Sequence, residues 1–311
     1  MLISIIIPVY NSEKYLSRCL DSVLSSLSSA KCKGEIIAVD NASIDNSKKI
    51  LAEFHKRYPA IVKLFDCQKA GASAARNYGA SQASGDYIWF IDADDTIAEA
   101  AIGKLLAVAK SEKADLVMMG MQRIYSNGKT DYLSAVNPKV KNYKSRFVRY
   151  GLGPVQVLIC RKWWNENHFL FHEGIIHEDM ELMSSLILFT ENFASIDEPF
   201  YYYYQNPDSV LHKATWDRHY FDIFPALSSL YQKFVDKKAA KKYYAELEWF
   251  FIWNLLIDSA KDFKKFPEGH SGLKRSRQMM RKYFPHWRRN KFLKQKSLKL
   301  QARVRLNYWG L

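Results

Sequence analysis

The first half of the chain alternates apolar runs with stretches in which apolar residues recur every three or four positions. Residues 3–9 form an apolar run, as expected of a strand that is covered on both faces. Residues 12–30 place their apolar side chains on one helical face, with Asn11 or Ser12 as the cap. The same alternation predicts further strands at 35–40, 61–66, 86–92 and 115–123, and further helices at 47–58, 72–84 and 98–111. It indicates a mostly parallel sheet with right-handed crossovers and flanking helices.

The pattern in the second half of the chain is less regular. Residues 125–145 are polar and contain the turn signals Ser126-Asn127-Gly128 and Asn137-Pro138, which predict a loop. The next predicted elements are a strand at 155–160, a helix near 162–167, a helix from about 178, and a strand at 201–204. From about residue 214 onward the pattern predicts helices only.

The composition is that of a globular protein. Of the 311 residues 48% are hydrophobic and 25% are charged, enough for one large domain or two modest ones. The four cysteines are far apart and form no C-x-x-C pair, which disfavours a zinc site or a disulfide framework and fits a reducing cytoplasm. The N-terminus lacks the basic segment of a signal peptide, and the longest apolar stretch, at 249–257, is too short to span a bilayer. We therefore expect a soluble or peripheral protein.

The net charge of +14 is confined to a C-terminal tail. Residues 261–311 contain 16 Lys and Arg but two acids, whereas the preceding 260 residues contain 30 basic and 30 acidic residues. In the tail, cations alternate with aromatic residues, as in Arg281-Lys282-Tyr283-Phe284 and Trp287-Arg288-Arg289. This pattern is typical of amphipathic helices on an anionic membrane surface, with a solvated basic helix face as the alternative. Nucleic-acid binding is disfavoured, because no recognised binding module accompanies the charge.

The most informative motif is the run Asp92-Ala93-Asp94-Asp95, which directly follows the apolar residues 87–91. Three carboxylates at the carboxyl end of a buried strand repel one another, and a divalent cation that carries phosphate oxygens would offset their charge. A second acidic pair, Glu178-Asp179, could supply a base. Together they suggest chemistry on a nucleotide diphosphate substrate. The alternative is that the run only caps the helix predicted to follow.

Polar residues also follow two other predicted strands. Tyr10-Asn11 comes after the first strand and Asp40-Asn41 after the second. In open parallel sheets, ligands bind beyond the carboxyl ends of the strands. These residues are therefore expected to converge with Asp92 and Asp94 at one edge of the sheet.

Five stretches in order resemble the family 2 glycosyltransferases, which have the nucleotide-sugar-binding GT-A fold. The resemblance covers roughly residues 1–212 and implies an α/β catalytic domain at 1–213, with a nucleotide-binding half at 1–97 and an acceptor-binding half at 98–213. A helical extension, basic from residue 261, would occupy 214–311. The stretches are Ser4-Ile-Ile-Ile-Pro-Val-Tyr-Asn11, Ala38-Val-Asp-Asn-Ala-Ser-Ile-Asp-Asn-Ser47, Gly71-Ala-Ser-Ala-Ala-Arg-Asn-Tyr-Gly79, Gly85-Asp-Tyr-Ile-Trp-Phe-Ile-Asp-Ala-Asp-Asp95 and His177-Glu-Asp179.

The resemblance implies a site for a UDP-sugar. Asp40 would accept the N–H of uracil, and the backbone at Pro8, Val9 and Tyr10 would wall the base. The family more often has Asp-Asp-Gly-Ser where this chain has Asp40-Asn41-Ala42-Ser43, a departure that bears on the ribose contacts.

The resemblance also implies where the diphosphate and a metal bind. Asp92-Ala93-Asp94 would hold the ribose and Mg²⁺ or Mn²⁺, with Asp94 as the main ligand and Asp92 beside it. Asp95 would lie behind the ligands or act as a cap. Arg76 would pair with Asp40 or the diphosphate, or serve only as a structural ion pair.

The implied chemistry is a single displacement that inverts the anomeric configuration. Asp179 would be the general base for the acceptor hydroxyl and Glu178 would bind the acceptor, unless the pair only caps a helix. In the loop after the predicted strand at 201–204, Ser209 would bind phosphate and His212 would be a second metal ligand. Many relatives have Arg near Gln205, which this chain lacks.

The resemblance implies a glycan or lipid-linked saccharide as acceptor and a bacterial surface polysaccharide as product. With the basic tail on anionic lipid, the enzyme would be cytoplasmic and peripheral on the inner face of the cell membrane. The donor sugar, the linkage and the choice between Mn²⁺ and Mg²⁺ stay open.

Nucleotidyltransferases and dinucleotide-dependent oxidoreductases are disfavoured, because no Gly-rich phosphate loop follows the first strand. A catalytically silent GT-A scaffold that docks through its tail is the remaining alternative.

Overall fold

The structure is a computed structural model that describes residues 1–135, 143–150, 153–175, 177, 179–205 and 218–309. It divides into two units. The first comprises Met1–Lys141, Gly153–Gly174 and Phe189–Ser209, and the second comprises Asn142–Leu152, Ile175–Leu188 and Val210–Leu311. Within the described ranges, every helix is too short or too polar to traverse a lipid bilayer.

Among the described residues, the strands all belong to the first unit. They are β1 (Leu2–Val9), β2 (Lys33–Asp40), β3 (Val62–Asp66), β4 (Tyr87–Phe90), β5 (Thr96–Ile97), β6 (Leu116–Ile124), β7 (Thr130–Leu133), β8 (Val157–Cys160) and β9 (Phe193–Tyr204). The helices in chain order are α1 (Leu16–Ala30), α2 (Ser47–Arg57), α3 (Ala72–Gln82), α4 (Ala101–Ser111), α5 (Tyr143–Tyr150), α6 (Arg161–Glu166), α7 (Asp179–Phe189), α8 (Ile223–Asp236), α9 (Tyr244–Phe251), α10 (Ser259–Lys265), α11 (His270–Tyr283), α12 (Lys291–Lys294) and α13 (Leu298–Trp309). A π-helical segment, Ile252–Asp258, joins α9 to α10.

In the described part of the chain the strands form one sheet in the order β3-β2-β1-β4-β8-β6-β9-β5, with β7 paired to β6. The first four strands of this order are parallel, as are β6 and β9. Strands β5, β7 and β8 join antiparallel, which the hydrophobic pattern does not indicate. The predicted fold class, an α/β sheet flanked by helices with a helical C-terminal region, is confirmed.

The core of the first unit explains the apolar runs and the spacing of α1. Leu16, Leu20 and Val23 of α1 are fully buried in the same apolar cluster as the strands. Helix α3 lies close to β1 because Gly79 has no side chain: a Cβ at that position would come within 2.5 Å of Ile6 Cγ2. This close approach brings the side chains of α3 to the carboxyl ends of the strands.

The prediction of a loop at 125–145 is wrong in part. Strand β7 lies inside it and pairs with β6, and α5 begins at Tyr143. Ser126-Asn127-Gly128 is a hairpin turn, closed by a hydrogen bond from the Tyr125 N–H to the Lys129 carbonyl (2.9 Å). Strand β9 also begins eight residues before the predicted position, at Phe193.

The second unit is helical around its own aromatic core. Three side chains of the tail, Phe284, Trp287 and Leu293, are at most 1% exposed and belong to the same core cluster as Trp249 and Phe251 from α9. The interpretation of the aromatic residues at 283–287 as a membrane-facing side is therefore wrong for Phe284 and Trp287. These residues fill the core of the unit, and the neighbouring cations remain on the surface.

Candidate active site

The carboxyl ends of β1 and β2 are held together by their loops. Val9 is in register with Asp40, and the Asn11 side chain accepts a hydrogen bond from the Ile44 N–H (2.9 Å). Of the residues predicted to wall the base, Val9 is buried, Pro8 is half-buried and Tyr10 is 60% exposed. An exposed aromatic ring beside a strand end offers a flat apolar surface to a planar base.

Asp40 is completely buried at the end of β2. Its Oδ2 accepts a hydrogen bond from the Ser43 N–H (3.2 Å) and lies 3.4 Å from Lys48 Nζ. Its Oδ1 is buried and has no hydrogen-bond partner among the residues that the structure describes. A buried oxygen without a donor is costly, so this atom is suited to accept an N–H from a ligand.

Asn41 ties the strand ends to the start of α3. Its Nδ2 donates to the carbonyl oxygens of Cys67 (3.1 Å) and Lys69 (2.7 Å), and its Oδ1 accepts from the Gly71 N–H (2.7 Å). A carboxylate could not donate these two bonds, so the amide is required by this arrangement. Next to it, Ala42 adopts a left-handed conformation with φ of 62°.

Arg76 projects from α3 and is 7% exposed. Its Nη2 donates to Asp92 Oδ1 at 2.8 Å, and its guanidinium lies 5.3 Å from the centre of the Phe171 ring. The structure thus gives Arg76 a carboxylate partner that the sequence does not indicate, in the acidic run itself. The pair holds one Asp92 oxygen in place.

Asp92 and Asp94 are both half-buried beyond the end of β4, with the buried Ala93 between them. The Asp94 carbonyl oxygen accepts a hydrogen bond from Arg18 Nη2 (2.8 Å), and the Arg18 guanidinium stacks 3.7 Å from the centre of the Tyr204 ring. Across the described residues, no group of three His, Cys, Asp or Glu side chains converges as a preformed metal site. Two accessible carboxylates fit Mg²⁺ or Mn²⁺, which bind one or two protein carboxylates together with substrate phosphates and water.

The negative charge of Asp92 and Asp94 raises the pKa values of two buried groups near them, Asp95 and Cys19. Burial, together with Asp92 and Asp94, raises the pKa of Asp95 from its ordinary 3.8 to about 8, although hydrogen bonds from Tyr201 and Tyr204 oppose the shift. Burial and the three carboxylates also raise the pKa of the Cys19 thiol. An added cation would relieve this repulsion, which supports the fit of a divalent metal.

Asp95 is fully buried and does not cap a helix. Its carboxylate accepts hydrogen bonds from the Tyr201 hydroxyl (2.6 Å) and the Tyr204 N–H (2.8 Å). The residues that follow form β5, and α4 begins only at Ala101 without a side-chain cap. The capping interpretation of the acidic run is therefore wrong, and Asp95 anchors the run to β9.

Four further residues are predicted to belong to the site: Asp179, Glu178, Ser209 and His212. Asp179 is the first residue of α7, is half-buried and belongs to the second unit. Its assignment as the base stays a prediction. Glu178, Ser209 and His212 lie outside the described residues.

Arg18 and Tyr201 are contacts of the acidic run that the sequence motifs do not reveal. Arg18 is the third residue of α1, and Tyr201 is one of four consecutive tyrosines. An exposed arginine on the polar face of a helix and a tyrosine in a strand of the core are weak signals, because both are common in structural roles.

Residues 4–162, about half of the chain, match the sequence profile described as Glycosyl transferase family 2. The uncharacterized glycosyltransferase EpsJ of Bacillus subtilis is 29% identical over 249 residues, which are 75% of this chain and 70% of that protein. The poly(ribitol-phosphate) beta-glucosyltransferase of Bacillus spizizenii is 32% identical over 206 residues, 65% of this chain but only 32% of that longer protein. The crystal structure of residues 1–349 of TarS from S. aureus in complex with UDP-GlcNAc superposes with a TM-score of 0.77 at 21% identity, covering 99% of this chain and 88% of TarS 1–349.

Proposed function

The chain belongs to glycosyl transferase family 2 and is a glycosyltransferase of GT-A fold, and on that premise we propose that it transfers a sugar from a UDP-sugar to a hydroxyl group of a glycan or lipid-linked saccharide. The reaction is a single displacement with inversion at the anomeric carbon. The observation that carries this proposal is the buried Oδ1 of Asp40, which has no hydrogen-bond partner among the described residues, together with the exposed Tyr10 that follows the neighbouring strand. The N3–H of uracil would satisfy this oxygen, while the ring of Tyr10 covers the base.

The acidic run would hold the diphosphate end of the donor through Mg²⁺ or Mn²⁺, with Asp94 and Asp92 as oxygen ligands. When bound, such a cation neutralises the charge that develops on the departing nucleoside diphosphate. Arg76 fixes the orientation of Asp92, and Asp95 supports the turn from behind. His212 is proposed as a further metal ligand and Ser209 as a phosphate contact.

Asp179 is proposed to take the proton of the acceptor hydroxyl as its oxygen attacks the anomeric carbon. Glu178 would bind the acceptor beside it. A positioned carboxylate base typically contributes about 10²–10⁴-fold to the rate.

The acceptor class is supported by two observations. The relative from Bacillus spizizenii carries a polymeric acceptor, poly(ribitol phosphate), in its name. The charge of this chain is concentrated in residues 261–311, which favours contact with an anionic surface. We therefore propose that the protein takes part in the synthesis of a surface polysaccharide at the inner face of the cell membrane.

Isothermal titration of the protein with UDP in the presence of Mn²⁺ tests the donor site. We expect metal-dependent binding that Asp94→Asn abolishes, while Asp21→Asn, which removes an exposed carboxylate of α1, leaves it unchanged. A silent scaffold would show no metal-dependent binding of UDP. Release of UDP from a panel of nucleotide sugars would then identify the donor.

The base is tested separately. Asp179→Asn should bind UDP and Mn²⁺ as the wild type does, yet lower the rate of sugar transfer by about 10²-fold or more. Transfer at the wild-type rate by this variant would exclude Asp179 as the base and leave the donor site unaffected.

A further inference from the structure

Helix α13 exposes apolar side chains to solvent. Leu298 is 83% exposed, Leu306 49% and Trp309 55%, and Ala302 is exposed between them. Their spacing of four, four and three residues places them in one stripe along the helix. A soluble surface tolerates single apolar residues, but an ordered stripe on one helix indicates an interaction site.

The exposure of this stripe does not result from loose attachment of the helix. Val304 and Tyr308, on the opposite side of α13, are at most 4% exposed in the core of the second unit. Asn307 Nδ2 donates to the Leu256 carbonyl in the π-helical segment (2.7 Å), and Arg281 Nε donates to the Tyr308 hydroxyl (3.1 Å). One side of α13 is thus anchored, which fixes the other side in the solvent.

The charges around the stripe have one sign. Lys299, Arg303 and Arg305 are exposed on the same helix. The sequence from 269 to 311 contains no acidic residue at all. Lys and Arg side chains can place their aliphatic stems beside apolar groups and their charges at the level of phosphates.

We propose that the exposed residues of α13 (Leu298, Lys299, Ala302, Arg303, Arg305, Leu306 and Trp309), here called the α13 face, dock on an anionic lipid bilayer. This inference rests on the proposed function, to which it adds the docking surface. Leu and Trp would enter the boundary between headgroups and acyl chains, where Trp is favoured, while the cations contact lipid phosphates. A nucleic acid would use the cations but not the apolar stripe, so lipid explains both features.

We propose the α13 face as the apolar membrane contact, in place of the aromatic residues of the tail that are buried. Phe284 and Trp287 cannot insert without unfolding the core of the second unit, because they are at most 1% exposed. Leu306 and Trp309 can insert with the fold intact.

Flotation of the 311-residue protein with vesicles tests the proposal. We expect binding to vesicles of equal parts phosphatidylglycerol and phosphatidylcholine at physiological salt, and none to pure phosphatidylcholine. Leu306→Ser with Trp309→Ser should weaken binding at least about tenfold. The matched control Val235→Ser with Trp253→Ser removes two apolar residues that are 42% and 40% exposed on other helices of the same unit, and should bind as the wild type does.

A second pair of variants tests the cations independently. Arg303→Gln with Arg305→Gln should weaken binding by about fivefold per cation. Lys274→Gln with Lys282→Gln removes the same charge from exposed positions of α11 and should have a smaller effect. Equal losses in the two pairs would show that charge acts without a defined face, and would overturn the proposal.

Failure of docking can be separated from failure of sugar transfer. The Leu306→Ser, Trp309→Ser variant should release UDP from the donor in solution at the wild-type rate, since no α13 residue belongs to the proposed donor site. Absence of wild-type flotation with intact UDP release would overturn only the docking proposal. A wild-type dimer that becomes monomeric in this variant, by light scattering, would also overturn it, because the face would then bind a second copy.

Discussion

The hydroxyl of Tyr201 lies between two parts of the acidic run. It donates to the buried carboxylate of Asp95 at 2.6 Å and accepts a hydrogen bond from the Asp92 N–H at 3.2 Å. One side chain of β9 thereby fixes the conformation of the turn that presents Asp92 and Asp94. The geometry of the proposed metal ligands depends on a residue that would itself contact neither metal nor substrate.

Tyr201→Phe should destabilise the protein. The substitution leaves a buried Asp95 oxygen and the Asp92 N–H without this partner, at a cost of about 1–3 kcal/mol in the free energy of unfolding. Urea denaturation measures the change. Tyr202→Phe, on the half-exposed neighbouring position, should change the free energy of unfolding by no more than about 0.5 kcal/mol. Equal effects of the two substitutions would show that the hydroxyl of Tyr201 has no special role.

The raised pKa of Asp95 predicts a pH dependence of stability. Between its ordinary pKa of 3.8 and about 8, the folded protein holds a proton on Asp95 that the unfolded chain has lost. Stability from this group is therefore greatest at low pH and decreases as the pH rises. In EDTA, the unfolding free energy of the wild type relative to Asp95→Asn should fall by about 1.4 kcal/mol per pH unit between about pH 5 and 7. A pH-independent difference would mean that Asp95 is ionised in the folded protein.

Asn41→Asp, which introduces the residue more usual in the family, should be harmful here. A carboxylate would face the carbonyl oxygens of Cys67 and Lys69, to which Asn41 now donates. We expect a loss of about 3 kcal/mol in unfolding free energy, since two bonds become repulsive contacts. UDP affinity should fall as well, because the turn at Gly71 begins the helix that carries Arg76. Asn127→Asp in the exposed β6–β7 turn keeps its acceptor oxygen and should be nearly neutral.

Ala42→Gly should stabilise the protein by about 0.5–1 kcal/mol. Ala42 has a φ of 62°, a left-handed conformation that costs a residue with a Cβ about 1 kcal/mol. Ala52→Gly, at an exposed position inside α2, should instead lower the unfolding free energy by about 1 kcal/mol. The opposite signs, read from the same denaturation curves, distinguish relief of backbone strain from a general effect of glycine.

The sequence predicts those strands and helices whose spacing of apolar residues reflects a buried face. Strand β1 and one face of helix α1 have long apolar signatures, because both are covered along the length of the element. Strand β5 has two residues and therefore no period, and β7 is polar, with Thr130 and Tyr132 exposed. What makes β7 a strand is its pairing with β6, including the ion pair between Arg123 and Asp131 (2.6 Å), and such pairing is not a local property.

In the candidate site, too, some features could be predicted from the sequence and others could not. Asp40, Asp92 and Asp94 could be predicted from the sequence because they occur in motifs at strand ends, and the sheet brings those ends to one edge. The Asp95–Tyr201 bond joins residues 106 positions apart, and the Arg76–Asp92 bond depends on the close packing of α3 on β1. No spacing in the sequence encodes these partners.

The sequence alone determined the family, the carboxylates at the strand ends and the confinement of net charge to residues 261–311. Only the tertiary structure decided that Asp95 is buried behind the site, and that Trp287 belongs to the core while Trp309 faces solvent. The physical reason is that local spacing specifies which residues share a face of a helix or strand. Whether that face is covered, and which side chain meets a buried carboxylate, depends on elements that fold against it from elsewhere in the chain.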